Sequence, residues 1–267
     1  MSQDSVGKTI GVSIGICLFC SLFVSVAAVK LKPLQIENQL LDKIKNILLV
    51  ADLADEGTDA KDLYEQRIKP VLIELSSGQS IAEDRFDEVL NMEGFDIADF
   101  DIKVMSGLPD QSRALSSDQD IAGIKRQPLH MVVYQLIENK SLKRLILPIY
   151  GKGLWSTLYG FLALEQDLQT VSGITFYQHA ETPGLGGEVD NPNWKNSWQG
   201  KQAFDDQGEV VIKVIKGQVV PGSANAHCEI DGISGATLTA RGVDNLIQFW
   251  LGENGYGPTL QQLREDR

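Results

Sequence analysis

From residue 10 to residue 29 the chain carries no charged side chain, and Lys8, Lys30 and Lys32 bound the run. As a helix rising ~1.5 Å per residue, these about twenty residues cover roughly 30 Å, the hydrocarbon thickness of a bilayer. Val26-Ala27-Ala28 is small enough to suit a signal-peptide cleavage site. The run, however, exceeds the ~7–15 apolar residues of a signal-peptide core. The expectation is an uncleaved single transmembrane anchor over residues 10–29, behind a short tail at 1–9. Cys17 and Cys20 form a C-x-x-C inside this span, where thiols are packing residues rather than redox or zinc groups. A span without charge cannot form an ion path alone.

Composition narrows what the remainder does. Lys and Arg total 24 against 36 Asp and Glu, a net charge of −12, which argues against nucleic acid and against adhesion to an anionic lipid surface. Cys228 has no partner for an intradomain disulfide, and His130, His179 and His227 lack metal-ligand spacing.

Periodicity gives a coarse architecture. Residues 34–50 are amphipathic, with Leu40, Leu41, Ile44, Ile47 and Leu48 on one side, and predict a juxtamembrane helix. Beyond it, 71–75 reads as a strand, 83–91 as a helix, 94–104 as irregular or edge structure and 106–125 as a loop. Residues 30–127 are thus a juxtamembrane helix and an α/β elaboration without a chemical motif. From Pro128 the pattern sharpens: 131–137 and 142–149 read as strands, and 159–164 with 171–177 as a hairpin. A short helix at 191–198, a strand at 210–215, a helix after Thr237 and a C-terminal helix at 258–264 follow. Strands and helices do not alternate strictly, so the fold class is α+β, a mixed α/β domain with a mostly antiparallel sheet over 128–255. Residues 256–267 form the C-terminal helix.

Chemistry concentrates in Asp231-Gly232-Ile233-Ser234-Gly235-Ala236-Thr237-Leu238-Thr239. Small residues and hydroxyls stand ahead of a helix marked by Val243, Leu246, Ile247, Trp250 and Leu251, so a phosphate can meet free amides and the positive end of the helix dipole. Thr239 is the expected N-cap and Thr237 lies just outside the first turn. Gly232, Gly235 and Ala236 are expected to leave room for a cofactor and for the enzyme that attaches it. The ordinary alternative is a plain Ser/Thr/Gly cap. Nucleophile-elbow, P-loop and Rossmann spacings are all missing.

Two further strings belong with it. Gly151-Lys152-Gly153-Leu154-Trp155-Ser156-Thr157-Leu158-Tyr159-Gly160 is a glycine-rich turn followed by Trp and Tyr between two strands, able to shape a flat apolar face. Glu181-Thr182-Pro183-Gly184-Leu185-Gly186-Gly187 is a tight turn that leaves backbone open to a ligand. By itself each also reads as a simple turn. The His179-x-Glu181 pair, which could suggest acid–base work, reads as a hydrogen-bonding detail.

In this order, behind one span, the three strings resemble those of the C subunits of the sodium-translocating NADH:quinone reductases. That resemblance covers roughly residues 128–255. It implies FMN bonded through a phosphoester to Thr237, with Asp231, Ser234, Gly235 and Ala236 in the attachment motif. It also implies that Glu181, Thr182, Gly184 and Leu185 lie near the isoalloxazine and that Gly153, Leu154 and Trp155 shape its pocket. It implies no catalytic residue of the chain's own and no metal. The implied role is an electron carrier within NADH oxidation, ubiquinone reduction and sodium export. The implied partners are the other integral membrane and flavin or iron–sulfur members of a six-subunit assembly, with a flavin transferase acting during maturation. The implied location is the bacterial inner membrane with the soluble domain on the periplasmic side. The flanking lysines, read by the positive-inside rule, point the other way. Alternatives are the G subunit of an Rnf-type ferredoxin:NAD oxidoreductase, which shares the Ser-Gly-Ala-Thr and Glu-Thr-Pro-Gly strings, and an anchored flavin-binding sensor.

Overall fold

A computed structural model describes residues 6–53 and 59–265. The first helix, α1 (Val6–Val50), runs from the apolar stretch through the amphipathic one, with Pro33 inside it. The chain divides into two units, one ending at Lys43 and the other beginning at Ile44. In the first, apolar side chains such as Ile14, Phe19 and Phe23 are exposed, and the helix is long and apolar enough to cross a membrane. The second holds the core.

That core is an antiparallel sheet. Helix α2 (Ala60–Arg67) leads into β1 (Ile68–Glu74); α3 (Phe86–Leu90), α4 (Ile102–Gly107), β2 (Ser112–Ala114) and β3 (Arg126–Pro128) precede the main strands. These are β4 (His130–Glu138), β5 (Ser141–Lys152), β6 (Thr157–Glu165) and β7 (Val171–Gln178), and the sheet order is β1-β4-β5-β6-β7. Asn139 and Lys140 both take positive φ between β4 and β5, the backbone of a tight hairpin turn whose twist matches the strands. Asp167 closes the β6–β7 turn by accepting from the Gln169 and Thr170 amides at 2.9 and 2.8 Å. After α5 (Pro192–Asn196), a parallel pair, β8 (Lys213–Val214) with β9 (Glu229–Ile230), leads to α6 (Thr237–Leu251) and α7 (Gly257–Glu265).

The sheet is buried on both faces, so β5 shows an unbroken interior run where a half-solvated strand would alternate. One face meets the end of α1: Asn46 accepts from the Thr175 hydroxyl at 2.9 Å, and Gly173 lies beside Val50. The other meets α6. Gly151 lets Leu246 come close, Trp250 Nε1 donates to the Tyr150 carbonyl at 2.7 Å, and Tyr256 Oη donates to the Pro148 carbonyl at 2.7 Å.

The α+β class with a mostly antiparallel sheet is the observed architecture. Several element expectations change. Residues 94–104 are not irregular or edge structure: Asp96 caps a 3-10 turn at Ile97–Asp99, and Asp101 starts α4 by accepting from the Lys103 and Val104 amides. Helix α2 arises the same way from Asp59. The 83–91 helix is a 3-10 turn followed by α3, ended by Asn91 in the left-handed region. Within the 106–125 loop, β2 pairs with β3. Only Lys213–Val214 of the 210–215 strand is strand, because the Val211 and Ile212 amides turn back to the Ala203 carbonyl. Finally, β1 is an edge strand of the main sheet, so residues placed in the elaboration help build the domain's own layer.

Candidate functional site

Helix α6 begins at Thr237 with Ala236 as its N-cap, and no side chain caps it. Its first amides therefore have neither an intrahelical acceptor nor a capping oxygen, and the positive end of the helix dipole faces outward. The expectation for Thr239 is overturned: it lies inside the first turn, fully buried, and its hydroxyl donates to Glu181 Oε2 at 2.6 Å. Thr237 is the first helical residue, not a residue outside the turn, and its side chain is exposed.

Thr237 lines a pocket of about 200 Å³ together with Lys216, Gly217, Gly232, Arg241 and Asp244, among others. Its outer wall is fixed at three points. The Val214 amide donates to Asp244 Oδ1 and the Val219 amide to Asp231 Oδ1, both at 2.7 Å. Gly232 packs under the Ile215 carbonyl and the Gly217 backbone, where any Cβ would collide. Gly232 is thus a packing glycine, not the open space expected of it. Asp231 ties the wall on, and its carbonyl accepts from Trp194 Nε1 at 2.8 Å. Burial raises the Asp244 carboxyl, against the opposing pull of the Val214 amide and Lys213.

The turns that meet at this corner carry exposed apolar side chains. Leu154, Leu185 and Leu238 are exposed, and Trp155 is 68% exposed. Gly235, at φ +74°, turns the chain into α6, and a Cβ there would lie 2.9 Å from Leu185 Cδ2. Ser234 is exposed next to it and Ala236 is buried. Thr182 and Gly184 lie in the exposed turn before Leu185: the Thr182 carbonyl accepts from the Leu185 and Gly187 amides, and Gly184 takes φ +75°. The Leu185 side chain is thereby held over the Gly235 corner.

Glu181 stands apart from these surface residues. It is 5% exposed, and its carboxylate accepts from the Trp155 and Ser156 amides at 2.9 and 3.0 Å, the Leu154 amide at 3.3 Å, the Ser156 hydroxyl at 3.3 Å and Thr239. Burial alone would push its pKa up. The bonds from Thr239 and the three amides outweigh that and leave it below the ordinary value. His179 is committed locally, with Nε2 2.7 Å from Asp190 Oδ2 and Nδ1 accepting from the Glu181 amide at 3.2 Å. That is the hydrogen-bonding detail expected of the His179–Glu181 pair.

The structure thus brings the Leu154-Trp155 turn, the Glu181–Leu185 turn and the Ser234–Thr237 corner into one surface, with Asp231 behind it. Sequence reasoning gave no role to Ser156, Lys216, Arg241 or Gly242, and gave Thr239 a capping role in place of its bond to Glu181. Among the residues given no role, Gly242 left a signal, as a glycine inside a strongly periodic helix; it lets α6 pack on the Lys152–Gly153 backbone, where a Cβ would collide with the Lys152 carbonyl oxygen and lie 3.1 Å from the Gly153 Cα.

A pocket that carries Lys216 and Arg241 beside Asp244 at an uncapped helix start, with exposed apolar side chains on the neighbouring turns, suits a molecule with a phosphate at one end and an aromatic ring at the other. A helix long and apolar enough to cross a membrane, followed by an α+β domain with such a corner, is the arrangement that an anchored flavin-binding domain would need. A family model described as FMN-binding domain matches residues 153–252, from the tryptophan turn to the end of α6. The C subunit of the Na(+)-translocating NADH-quinone reductase from Pseudomonas aeruginosa is 47% identical over 99% of this chain and 98% of its own length. Its counterpart from Yersinia pestis is 45% identical over 99% and 95%. Among solved structures, Shewanella oneidensis NqrC superposes with a TM-score of 0.75 at 32% identity, over 86% of this chain and 99% of that one. The chain belongs to the NqrC family, the C subunits of the Na(+)-translocating NADH-quinone reductases.

Proposed function

We propose that this chain is the membrane-anchored electron carrier of that complex and holds FMN through a phosphoester to the Thr237 hydroxyl. The observation that carries this reading is the exposed Thr237 side chain at an uncapped helix start, between the Lys216–Arg241 pocket and the Leu154–Trp155–Leu185–Leu238 shelf. Lys216, Arg241 and the first amides of α6 would hold the phosphoryl group, and Leu185, Leu154 and Trp155 the ring. FMN supplies reversible one- and two-electron chemistry, which belongs to the cofactor. The protein fixes the phosphate end, leaves the shelf open toward neighbouring subunits and prevents loss of the cofactor between turnovers.

Within the six-subunit assembly the chain serves NADH oxidation, ubiquinone reduction and sodium export by relaying electrons. The hydride, quinone and ion steps belong to other subunits, and a flavin transferase installs the cofactor during maturation. The span anchors it in the bacterial inner membrane, with the domain of residues 128–255 on the periplasmic side. The curated relatives match over almost the full length, residues 51–127 included, which favours this family over an Rnf-type G subunit or a free-standing sensor.

Intact-mass measurement of the chain matured with a flavin transferase tests the attachment. The expected result is a mass increase of one bound FMN that is absent in Thr237→Ala. The bare sequence mass in both chains, or the FMN increment in both, would overturn it.

A further inference from the structure

The Glu181 carboxylate is saturated. Oε1 takes three donors from Trp155 and Ser156, and Oε2 takes the Thr239 hydroxyl and the Leu154 amide. A carboxylate offers about four lone-pair sites, so five donors leave no capacity for a ligand. Neither is there space. A Cβ on Gly153 would lie 2.7 Å from Oε1, and one on Gly186 would lie 2.8 Å from Oε2 and 2.6 Å from the Thr239 hydroxyl. The Ser156 hydroxyl continues the network by accepting from the Ala180 amide at 2.8 Å. Three stretches of chain therefore close around one buried charge, and Thr239 is the member that comes from the attachment helix.

We infer that Glu181 and Thr239 are positioning residues whose hydrogen bond fixes the Leu154–Trp155 turn and the Leu185 segment relative to Thr237, without touching the flavin. This rests on the reading of Thr237 as the attachment point and adds what sets the width of the ring site. The mechanism is geometric. Thr237 and Thr239 sit two residues apart on a rigid helical turn, so wherever the Thr239 hydroxyl is held, the Thr237 oxygen is held as well. The same carboxylate fixes three successive amides of the turn that carries Leu154 and Trp155. Removing the Thr239 donor takes away the short bond to Oε2 and leaves it only the longer one from the Leu154 amide, and the turn is then free to shift against α6.

The test uses the full chain in detergent, with 5-fluorotryptophan incorporated and the Trp155 resonance assigned by Trp155→Phe. Thr239→Val removes the donor at nearly constant volume, and Thr239→Ser restores it. In the flavin-free chain, Thr239→Val is expected to shift the Trp155 fluorine resonance while Thr239→Ser keeps the wild-type position. In the flavin-loaded chain, Thr239→Val is expected to retain the full FMN mass but lose visible circular dichroism amplitude, with Thr239→Ser again like wild type. A valine variant with wild-type resonance and visible dichroism would overturn the inference, as would a serine variant as perturbed as the valine one. If the valine variant does not fold, Thr239→Ala provides the same comparison. Absence of FMN mass in the wild type would instead count against the attachment reading, and the flavin-free fluorine data would still decide this one.

Discussion

Thr237 and Thr239 are chemically alike and physically opposite: one is exposed and lines the pocket that holds Lys216 and Arg241, the other is fully buried against a carboxylate. Local sequence cannot separate them, because both stand at a helix start where either could cap. The decision is made by Glu181, 58 residues away along the chain. Its own charge has a consequence that can be measured. The folded-state pKa lies below the ordinary value of 4.5, so the ionised carboxylate stabilises the fold fully above that value. The contribution is lost as pH falls from there through the depressed folded value. Glu181→Gln is expected to be less stable than wild type at pH 7 by roughly 1–3 kcal/mol, the cost of mispaired buried donors. Urea titrations from pH 7 to pH 3 should show that gap shrinking only in the acid window. A constant gap, or none, would remove the charge from the explanation.

Among the elements, α6 does most to organise the site, and half of its design is readable from spacing. Val243, Leu246, Ile247, Trp250 and Leu251 fall at helical intervals and are all buried. The amphipathic face follows from that interval alone. Spacing does not show how close the helix comes to β5. Gly151 and Gly242 each occupy a contact that a side chain would block, the first against Leu246 and the second against the Lys152–Gly153 backbone. Gly242→Ala gains about 1 kcal/mol of helix propensity, but it presses a methyl on a backbone carbonyl, and such overpacking costs about 1–3 kcal/mol. The net expectation is destabilisation in urea together with an altered visible flavin spectrum, because the Gly153–Trp155 turn must move. A stabilised variant with an unchanged spectrum would contradict the close packing. The small helices before β2 escape a sequence reading for a related reason. Their starts depend on Asp59, Asp96 and Asp101 capping backbone amides, a signal only a few residues long in a stretch without strong periodicity.

At the scale of the whole molecule, the buried core begins at Ile44 and the apolar side chains of the membrane-length run are exposed. Residues 44–267 are therefore expected to fold as a monodisperse soluble unit after removal of the first 43 residues, with unchanged urea stability. Sedimentation velocity and circular dichroism check this; aggregation or loss of the unfolding transition would show that the first segment contributes to the core. Periodicity and length are properties of contiguous sequence, so the span, the β4–β7 strands and the amphipathic α6 follow from the amino acids in order, as does the small-residue corner ahead of Thr237. Tertiary structure alone decided that β1 joins the main sheet, that Lys216 faces the same pocket as Thr237, and that one carboxylate gathers Trp155, Ser156 and Thr239. Those outcomes depend on contacts between residues distant in the chain, 25 to 58 residues apart around the carboxylate and mostly more in the β1–β4 pairing, and on backbone approaches set by glycine. Such contacts carry no local period and become defined only when the packed layers bring them together.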